Sequence, residues 1–337
     1  MPCLAAEWEH QNGVLLSWPT QTTDWRHNLA AAENTYLELT KLIAQYSHAY
    51  ICCYDSDTRQ HVQKLCSGAN INSERYTLFT IAYDDTWTRD YGPLSLRRKN
   101  DIAWLNFGFN AWGGKYAFRQ DAKVTELLHQ HFKDKPILEH ADFVLEGGSI
   151  ESDGRGTILT TSKCLLDPAR NTGLSKQQIS RRLKEALDIE RILWLDHGHL
   201  LGDDTDAHID TLARFCSPHT IAYVQCTNPE DPHFKSLSAM ELQIKSFKQN
   251  NGQVYHLIPL PLANTCINSE GQPLPASYAN FLIINGAVLA PVYGLDTDTL
   301  AVTQLQKAFP GHRIVPVQCR SLIEQYGSLH CITMQML

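Results

Sequence analysis

The chain has 337 residues, 43% of them hydrophobic, which is enough for a large core and excludes the disordered and fibrous classes. Its formal net charge is −7, and no run of lysines or arginines alternates with aromatic residues. We therefore expect neither a nucleic-acid partner nor a membrane-surface partner. The mild acidic excess is compatible with a cationic ligand.

No segment approaches the run of about 18 apolar residues that a membrane-spanning helix needs. The segment Met1–His10 also lacks the basic region and apolar run of a secretory signal, so we expect a cytoplasmic protein. The ten cysteines are scattered without a Cys-x-x-Cys pair, which predicts reduced core residues. No linker-like stretch divides the chain, so we expect a single domain over residues 1–337.

Helices followed by strands recur along the chain. From Asn28 the apolar residues repeat every three or four positions, which predicts a helix, and the β-prone run Ala49–Tyr54 follows. The later predicted elements are Asp121–His131, whose strand is poorly marked; Ser175–Leu187 and Arg191–Leu195; Lys235–Asn250 and Val254–Ile258; and Thr299–Phe309 and Arg313–Val317. Five such units, mostly spaced by roughly 55 to 65 residues, predict an α/β protein of repeated modules. The spacing does not distinguish a ring of modules from one open sheet.

Five segments depart from this periodicity and carry reactive side chains. Each follows or joins a predicted strand, where functional loops are common. They are Asp84–Pro93, Gly108–Tyr116, Val144–Gly156, Asp196–Asp210 and Gly327–Met334.

Two aspartates in these segments suit a guanidinium ligand. A guanidinium is planar, charged and rich in N–H donors, and a carboxylate meets it with two parallel hydrogen bonds. Carboxylates on opposite edges would grip the group and leave its central carbon open. Asp90 and Asp210 are the candidates.

Cys331 is the candidate nucleophile for that carbon. A thiolate is the protein nucleophile best suited to so poor an electrophile, provided that positive charge lowers its pKa. Cys331 stands beside His330, whereas His208 is the candidate acid that protonates departing ammonia and then deprotonates water. Glu146 would orient and charge His208.

Each segment also has a structural explanation. Cys331 could be a core residue, and Arg89-Asp90 a structural ion pair. Glu146-Gly147-Gly148 could be a strand end with a turn, and Ser152-Asp153-Gly154 resembles a hairpin turn. Trp87 and Trp112 could be ordinary core or rim aromatics.

The segment Asp196–Asp210 permits a different chemistry. Its sequence Asp206-Ala207-His208-Ile209-Asp210 has the Asp-x-His-x-Asp pattern with which arginase-like enzymes hold two manganese ions and release urea from guanidino compounds. The other ligand segments that a two-metal site requires are absent from the sequence. A metal-dependent ureohydrolase is therefore a lower alternative, and a solvated acidic loop is another.

Taken together, these segments resemble the agmatine deiminases, within the larger group of guanidino-modifying enzymes that includes arginine and peptidylarginine deiminases. The resemblance runs from Ala6 to the end of the chain. Its specific motifs, in order, are Trp87-x-Arg89-Asp90-x-Gly92-Pro93, Glu146-Gly147-Gly148, His208-x-Asp210 and His330-Cys331-Ile332-Thr333.

The resemblance implies a five-module α/β propeller (pentein-like) with pseudo-fivefold symmetry and a site on its central axis. It implies that Cys331 is the nucleophile, that His208 is the general acid and base, and that Glu146 pairs with His208. Asp90 and Asp210 would bind the guanidinium. The implied reaction is hydrolysis of agmatine to N-carbamoylputrescine and ammonia through a covalent amidino-thioether, with no metal and no cofactor.

Other residues would shape the substrate pocket. Trp87 would lie along the alkyl chain of the substrate, and the turn after Trp112 would let the backbone at Gly114 approach the ligand. Two residues depart from the family pattern: Met334 replaces a glutamine, and Ala207 stands where glycine is common. Alanine there is a small change unless the backbone needs a positive φ.

Two further functions remain open at this stage. A deiminase acting on free or peptidyl arginine would need a cationic group for the α-carboxylate of arginine, and none is obvious near Trp87 or Trp112. A non-catalytic polyamine-binding protein would leave Cys331 idle. A closed homo-oligomer is the usual state of soluble enzymes, so we expect a homo-oligomer here.

Overall fold

A computed structural model of the chain describes residues 3–99, 101–263 and 266–337. It is a mixed α/β structure, as the sequence predicts. Within these ranges no helix is long and apolar enough to cross a membrane. The longer helices are Leu29–Tyr46, Ser56–Gly68, Asp121–His131, Lys176–Leu187, Phe234–Ser246 and Asp298–Ala308.

Five sheets share one strand order. In each, two strands pair antiparallel, the chain passes through a helix, and a third strand pairs parallel with the second. We number these sheets units 1 to 5. Their strands are Leu94–Arg97, Ile102–Gly108 and Ile137–Val144 in unit 1; Ile150–Ser152, Thr157–Thr161 and Arg191–Leu195 in unit 2; Ala213–Ser217, Thr220–Gln225 and His256–Pro261 in unit 3; Leu282–Ile284, Ala287–Val292 and Arg313–Gln318 in unit 4; and Met334–Met336, Gly13–Ser17 and Ala49–Cys53 in unit 5.

Unit 5 joins distant parts of the sequence. Its strand Met334–Met336 pairs antiparallel with Gly13–Ser17, so that Met334 lies opposite Leu15. Two further strands extend the sheets at their edges: Cys3–Leu4 beside unit 1 and Tyr76–Thr80 beside unit 5. A separate short pair consists of Cys266–Ile267 and Pro273–Leu274.

The middle strand of a unit is covered on both faces. Every residue of Ala287–Val292 and of Gly13–Ser17 is buried, which explains why these strands are continuous apolar runs without alternation. All ten cysteines are free and buried, as predicted.

Most predicted boundaries agree with the structure within two residues, and one region differs. The helix predicted over Lys235–Asn250 ends at Ser246, and the strand predicted from Val254 begins at His256. Between them Lys248 bridges to Val254 around a turn in which Gly252 has a φ of +83°. The helix Ser56–Gly68 was missed because only Val62 and Cys66 form its buried stripe.

The helix Lys176–Leu187 begins with a capping box. The Ser175 hydroxyl accepts a hydrogen bond from the Gln178 backbone N–H, and the Gln178 side chain accepts one from the Ser175 N–H at 2.9 Å. We expect Ser175→Ala to lower the free energy of unfolding by about 1 kcal/mol, measured by urea denaturation. Ser180→Ala, within the same helix, removes no cap and is the control. Equal losses in both variants would contradict this assignment.

Candidate active site

The turn before the first strand of each unit carries a residue of the candidate site. These turns are helix Thr88–Tyr91 in unit 1 and the 3-10 turns Gly147–Ser149 in unit 2 and Ile209–Thr211 in unit 3. In units 4 and 5 the corresponding loops contain Asn280 and Cys331. The repeated strand order therefore brings five short segments to one place, and hydrogen bonds connect them.

The buried Asp90 and Asp210 carboxylates face a common space. Asp90 accepts hydrogen bonds from the Gly148 backbone N–H and from Trp112 Nε1, both at 2.9 Å. Asp210 accepts one from His330 Nδ1 at 2.8 Å through Oδ2. Among the described residues, no group hydrogen-bonds to Asp210 Oδ1. One buried acceptor of the site is therefore without a hydrogen-bond partner in the described part of the chain.

The two carboxyl groups differ in pKa. Burial, together with the charges of Asp210 and Glu146, raises the pKa of Asp90 well above its usual value. Burial also raises that of Asp210, but the hydrogen bond and charge of His330 outweigh this effect and lower its pKa. Asp210 is thus the more readily ionised carboxylate when no ligand is bound.

Gly148 keeps the space between these groups open. A Cβ at position 148 would lie 2.7 Å from His208 Nδ1, 2.8 Å from Asp90 Oδ1 and 3.1 Å from Asp210 Oδ2. Any side chain there would occupy the volume that the three groups enclose. Position 147 is closed too, since a Cβ there would lie 2.2 Å from the Arg89 carbonyl oxygen. The Glu-Gly-Gly sequence is therefore required by close packing around the site.

Cys331 lies beside Asp210 and Asn280. Its Sγ is 4.0 Å from Asp210 Oδ2 and 3.4 Å from Asn280 Oδ1. Burial, followed by the charges of Asp210 and Asp90, raises the pKa of the thiol well above its usual value. The positive charge that a thiolate at Cys331 requires is therefore not supplied by these two neighbours, which are carboxylates.

His208 lies between the carboxylates of Asp90 and Glu146 without hydrogen-bonding to either. Its Nδ1 is 3.7 Å from Asp90 Oδ1, and its Nε2 is 3.9 Å from Glu146 Oε2. Burial lowers the pKa of His208 to about 3, although Asp210 opposes this shift. At neutral pH the imidazole is uncharged and can accept a proton.

The predicted pairing of Glu146 with His208 is present only as a 3.9 Å contact, without a hydrogen bond. Arg170 Nε donates instead to both Glu146 oxygens at 2.9 Å, and its Nη1 donates to Asp206 Oδ2 at 2.9 Å. Burial raises the pKa of Glu146, and Arg170 opposes that rise. Glu146 therefore lies beside His208 but is bound by an arginine.

A pocket of about 180 Å³ leads from the surface to Cys331. Three of the predicted site residues, Trp87, Trp112 and Asp90, line it together with Tyr116 and Tyr326 near the mouth. Gly114 is not among the lining residues, and its contact with a ligand stays a prediction. Ala111–Gly114 is a left-handed turn in which all four residues have positive φ, from +50° to +90°. This turn directs Trp112 towards Asp90, and Gly114 relieves its strain.

The comparisons with known proteins cover nearly the whole chain. The model of the Porphyromonas-type peptidyl-arginine deiminase family matches residues 3–336. The chain belongs to this family. The agmatine deiminase of Stutzerimonas stutzeri is 32% identical to it, over 98% of this chain and 94% of that protein.

Solved structures of the deiminase family superpose closely. A cysteine-to-serine variant of the C. jejuni agmatine deiminase with substrate bound has a TM-score of 0.92 at 34% identity, covering 100% of this chain and 96% of that one. A Porphyromonas gingivalis structure provisionally assigned as an arginine deiminase has a TM-score of 0.92 at 41% identity, with coverage of 99% and 98%. The mixed α/β fold is therefore that of these deiminases.

In this deiminase family member, Asp206 is not arranged as a metal ligand. Its carboxylate accepts hydrogen bonds from Arg170 and from Lys115 Nζ at 3.1 Å. Two cations already occupy the carboxylate of an expected manganese ligand, which disfavours the arginase-like alternative. Ala207 has a φ of +66°, so its backbone does adopt the conformation that favours glycine.

Two polar residues that contact the site, Asn280 and Arg170, were not predicted from the sequence. The repeat contained a signal for Asn280, because it precedes the first strand of unit 4 as Asp90, Asp210 and Cys331 precede theirs. Arg170 offered no comparable signal, since it reaches Glu146 from a loop that carries no motif.

The buried Arg170 allows a direct test of this arrangement. Arg170→Gln leaves Glu146 buried without its cation, so we expect a loss of about 3–5 kcal/mol in the free energy of unfolding. Lys115→Gln also removes a cation from Asp206, but that lysine is partly exposed, and the loss should stay below about 1 kcal/mol. Both are measured by chemical denaturation. A cost for Arg170→Gln no larger than for Lys115→Gln would contradict a structural role for the Glu146 pair.

Proposed function

We propose that this chain is an agmatine deiminase that hydrolyses agmatine to N-carbamoylputrescine and ammonia. One observation carries the proposal: the carboxylates of Asp90 and Asp210 face the space kept open by Gly148, with Cys331 Sγ 4.0 Å from Asp210. That space suits a planar cation gripped from two sides. Similarity over the whole chain to agmatine deiminases supports the assignment.

Binding of the guanidinium supplies the positive charge that the free site lacks. In the ligand-free protein the raised pKa of Cys331 and the lowered pKa of His208 keep both groups uncharged. A cation between Asp90 and Asp210 offsets the negative charge that disfavours the thiolate. The substrate therefore lowers the pKa of the thiol that attacks it.

The reaction then proceeds in two halves. As the sulfur of Cys331 bonds to the guanidinium carbon, the thiol proton passes to His208. The imidazolium returns this proton to the departing nitrogen, and the C–N bond breaks with release of ammonia, leaving an amidino-thioether. Uncharged His208 next takes a proton from water as its oxygen attacks the same carbon. The S–C bond then breaks, His208 returns its proton to sulfur, and the hydroxyl of the adduct releases its proton to solvent as the ureido product leaves.

The fold and the assembly form part of this proposal. The five units that share one strand order support a five-module propeller with pseudo-fivefold symmetry, in which residues 1–337 form one catalytic domain. The site would lie where the turns before the first strands meet. A cytoplasmic location and a homo-oligomeric state remain predictions.

The composition of the pocket favours agmatine over arginine. Its walls contain the carboxylates of Asp24, Asp85 and Asp204 in addition to Asp90, and among the described residues no lysine or arginine lines it. An α-carboxylate would meet negative charge there, whereas the ammonium of agmatine would be attracted. Arginine and arginine peptides are therefore the competing substrates to test.

One prediction of the proposed function concerns Cys331. We expect ammonia from agmatine, with much less from arginine or an arginine-containing peptide, and we expect iodoacetamide but not EDTA to stop it. Cys331→Ala should abolish turnover while agmatine binding, followed by calorimetry, is largely kept, because the aspartates supply most of the grip. Urea as the product, together with inhibition by EDTA, would contradict the cysteine mechanism.

The control for that variant is Cys226→Ala. Cys226 is also buried but does not line the pocket. The Cys226→Ala variant should keep its turnover of agmatine, and iodoacetamide should still stop that turnover. Full activity in Cys331→Ala would exclude Cys331 as the nucleophile.

Another prediction of the proposed function concerns Asp85, which we propose as a partner of the agmatine ammonium. Burial raises the pKa of Asp85 to about 6, although the Thr86 N–H opposes this rise. The carboxylate therefore ionises as the pH rises through about 6, and the KM for agmatine should fall over that range. Asp85→Asn should remove this dependence and raise the KM at pH 8 about tenfold, equivalent to roughly 1.4 kcal/mol.

Butylguanidine, which lacks the ammonium, is the matched substrate for this test. Its KM should respond little to Asp85→Asn. Asp84→Asn is the control variant, since the Asp84 carboxylate binds Gln120 and does not line the pocket. Equal changes in KM for the two substrates would show that Asp85 does not bind the ammonium.

A further inference from the structure

A buried group of charged residues lies behind Asp210, on the side away from the pocket. It consists of Glu7, Arg89, Glu151, Arg214 and His330, none more than 6% exposed. Arg214 Nη2 donates to Glu7 Oε2 at 2.6 Å, and Arg214 Nε donates to Glu151. The proposed reaction uses none of these residues directly, so their burial calls for a physical explanation.

His330 connects this group to the site. Its Nδ1 lies 2.8 Å from Asp210 Oδ2, and its Nε2 lies 2.7 Å from Glu7 Oε2. An ionised carboxylate only accepts hydrogen bonds, and an unprotonated ring nitrogen also only accepts. Both nitrogens can therefore be satisfied only if each carries a proton, which makes the ring an imidazolium.

Several charges act on the His330 ring. Burial, with the guanidinium groups of Arg214 and Arg89, lowers the pKa of His330 below its usual value, although Glu7 and Asp210 oppose this shift. Burial likewise raises the pKa of Glu7, but Arg214 and His330 hold it below its usual range. The hydrogen-bond geometry decides in favour of the imidazolium, since both carboxylates are ionised.

The charges of the group depend on Glu151. The carboxylates of Asp210 and Glu7 balance the guanidinium groups of Arg89 and Arg214, and burial raises the pKa of the third carboxyl, Glu151, to about 7. An imidazolium at His330 neutralises the further negative charge that Glu151 carries when it is ionised. A buried charge without compensation is costly, so the protonated ring is compatible with an ionised Glu151.

We propose that Glu7 is a positioning residue that acts through His330, and that the Glu7–His330–Asp210 relay keeps Asp210 ionised and turned towards the substrate. The relay holds Asp210 Oδ2, which lies 4.0 Å from Cys331 Sγ, and among the described residues no group hydrogen-bonds to the other oxygen, Oδ1. Glu7 is itself fixed, because its Oε1 accepts a hydrogen bond from the Ile283 N–H at 2.7 Å. This inference deepens the proposed function and rests on it for the role of Asp210.

Glu7→Gln removes one of the two carboxylates that stabilise the imidazolium. His330 then becomes neutral at a lower pH, and Asp210 loses the charge that lowers its pKa. The pKa of Cys331, which faces Asp210, changes in the same direction. Both effects move the acid limb of kcat/KM for agmatine to higher pH, by roughly one pH unit. Activity should fall about tenfold on that limb and recover at alkaline pH.

Glu151→Gln is the matched control. Glu151 is equally buried and binds the same Arg214, but the ring nitrogens of His330 bind Asp210 and Glu7 instead. The Glu151→Gln variant should be less stable than wild type, but the acid limb of its kcat/KM profile should not move. If Glu7→Gln loses activity equally at all pH values, or if Glu151→Gln moves the limb as far, the relay is wrong. Glu7→Asp keeps the charge and should keep the limb near its wild-type position, which provides a second test if the amide variant does not fold.

The protonation state of His330 can be measured without turnover. In the ¹⁵N-histidine-labelled wild-type chain, with the signal assigned by its loss in His330→Gln, both ring nitrogens should carry protons at pH 7. A singly protonated ring would overturn the relay. If wild-type protein releases no ammonia from agmatine but His330 carries two protons, the proposed function fails while the relay stands; an active enzyme with a singly protonated His330 gives the reverse outcome.

Discussion

Two buried carboxylates that face one narrow space are the constraint on which the rest of the site depends. The burial of Asp90 and Asp210 raises the free energy of the folded protein, because neither water nor a bound cation compensates their charges fully. Trp112, the Gly148 backbone and His330 supply partial compensation. The left-handed turn at Ala111–Gly114 contributes to the same compensation, because it brings the indole N–H of Trp112 to Asp90. The remaining deficit of positive charge is what a guanidinium substrate supplies.

The sequence predicted this site better than it predicted the protonation of its groups. Asp90, His208, Asp210 and Cys331 come together, and Trp87 and Trp112 line the pocket. The sequence places His330 beside Cys331 along the chain, but it does not show which charged groups act on the thiol. The His330 ring turns away to Asp210 and Glu7, and the groups nearest the sulfur belong to other units. Side-chain direction at a tight turn is not encoded in the local pattern.

In the fold, too, the sequence predicts the local elements but not the contacts between distant residues. Helix periodicity located five of the longer helices, because each buries one apolar stripe. It could not show that Met334–Met336 pairs with Gly13–Ser17, since partners so far apart leave no local trace. Glu146 is a similar case: its motif is visible, but the arginine that binds it comes from an unpatterned loop. Asn280 became recognisable only when the strand order of the units was known.

The pairing of Met334–Met336 with Gly13–Ser17 also sets the order in which the protein can become active during synthesis. The first strand of the pair leaves the ribosome early and must wait without its partner until more than 300 further residues have followed, as the positions of the two strands require. Contacts so distant in sequence form late and slowly. Because Cys331 lies three residues before the closing strand, a nascent chain that has folded its earlier units still lacks the proposed nucleophile.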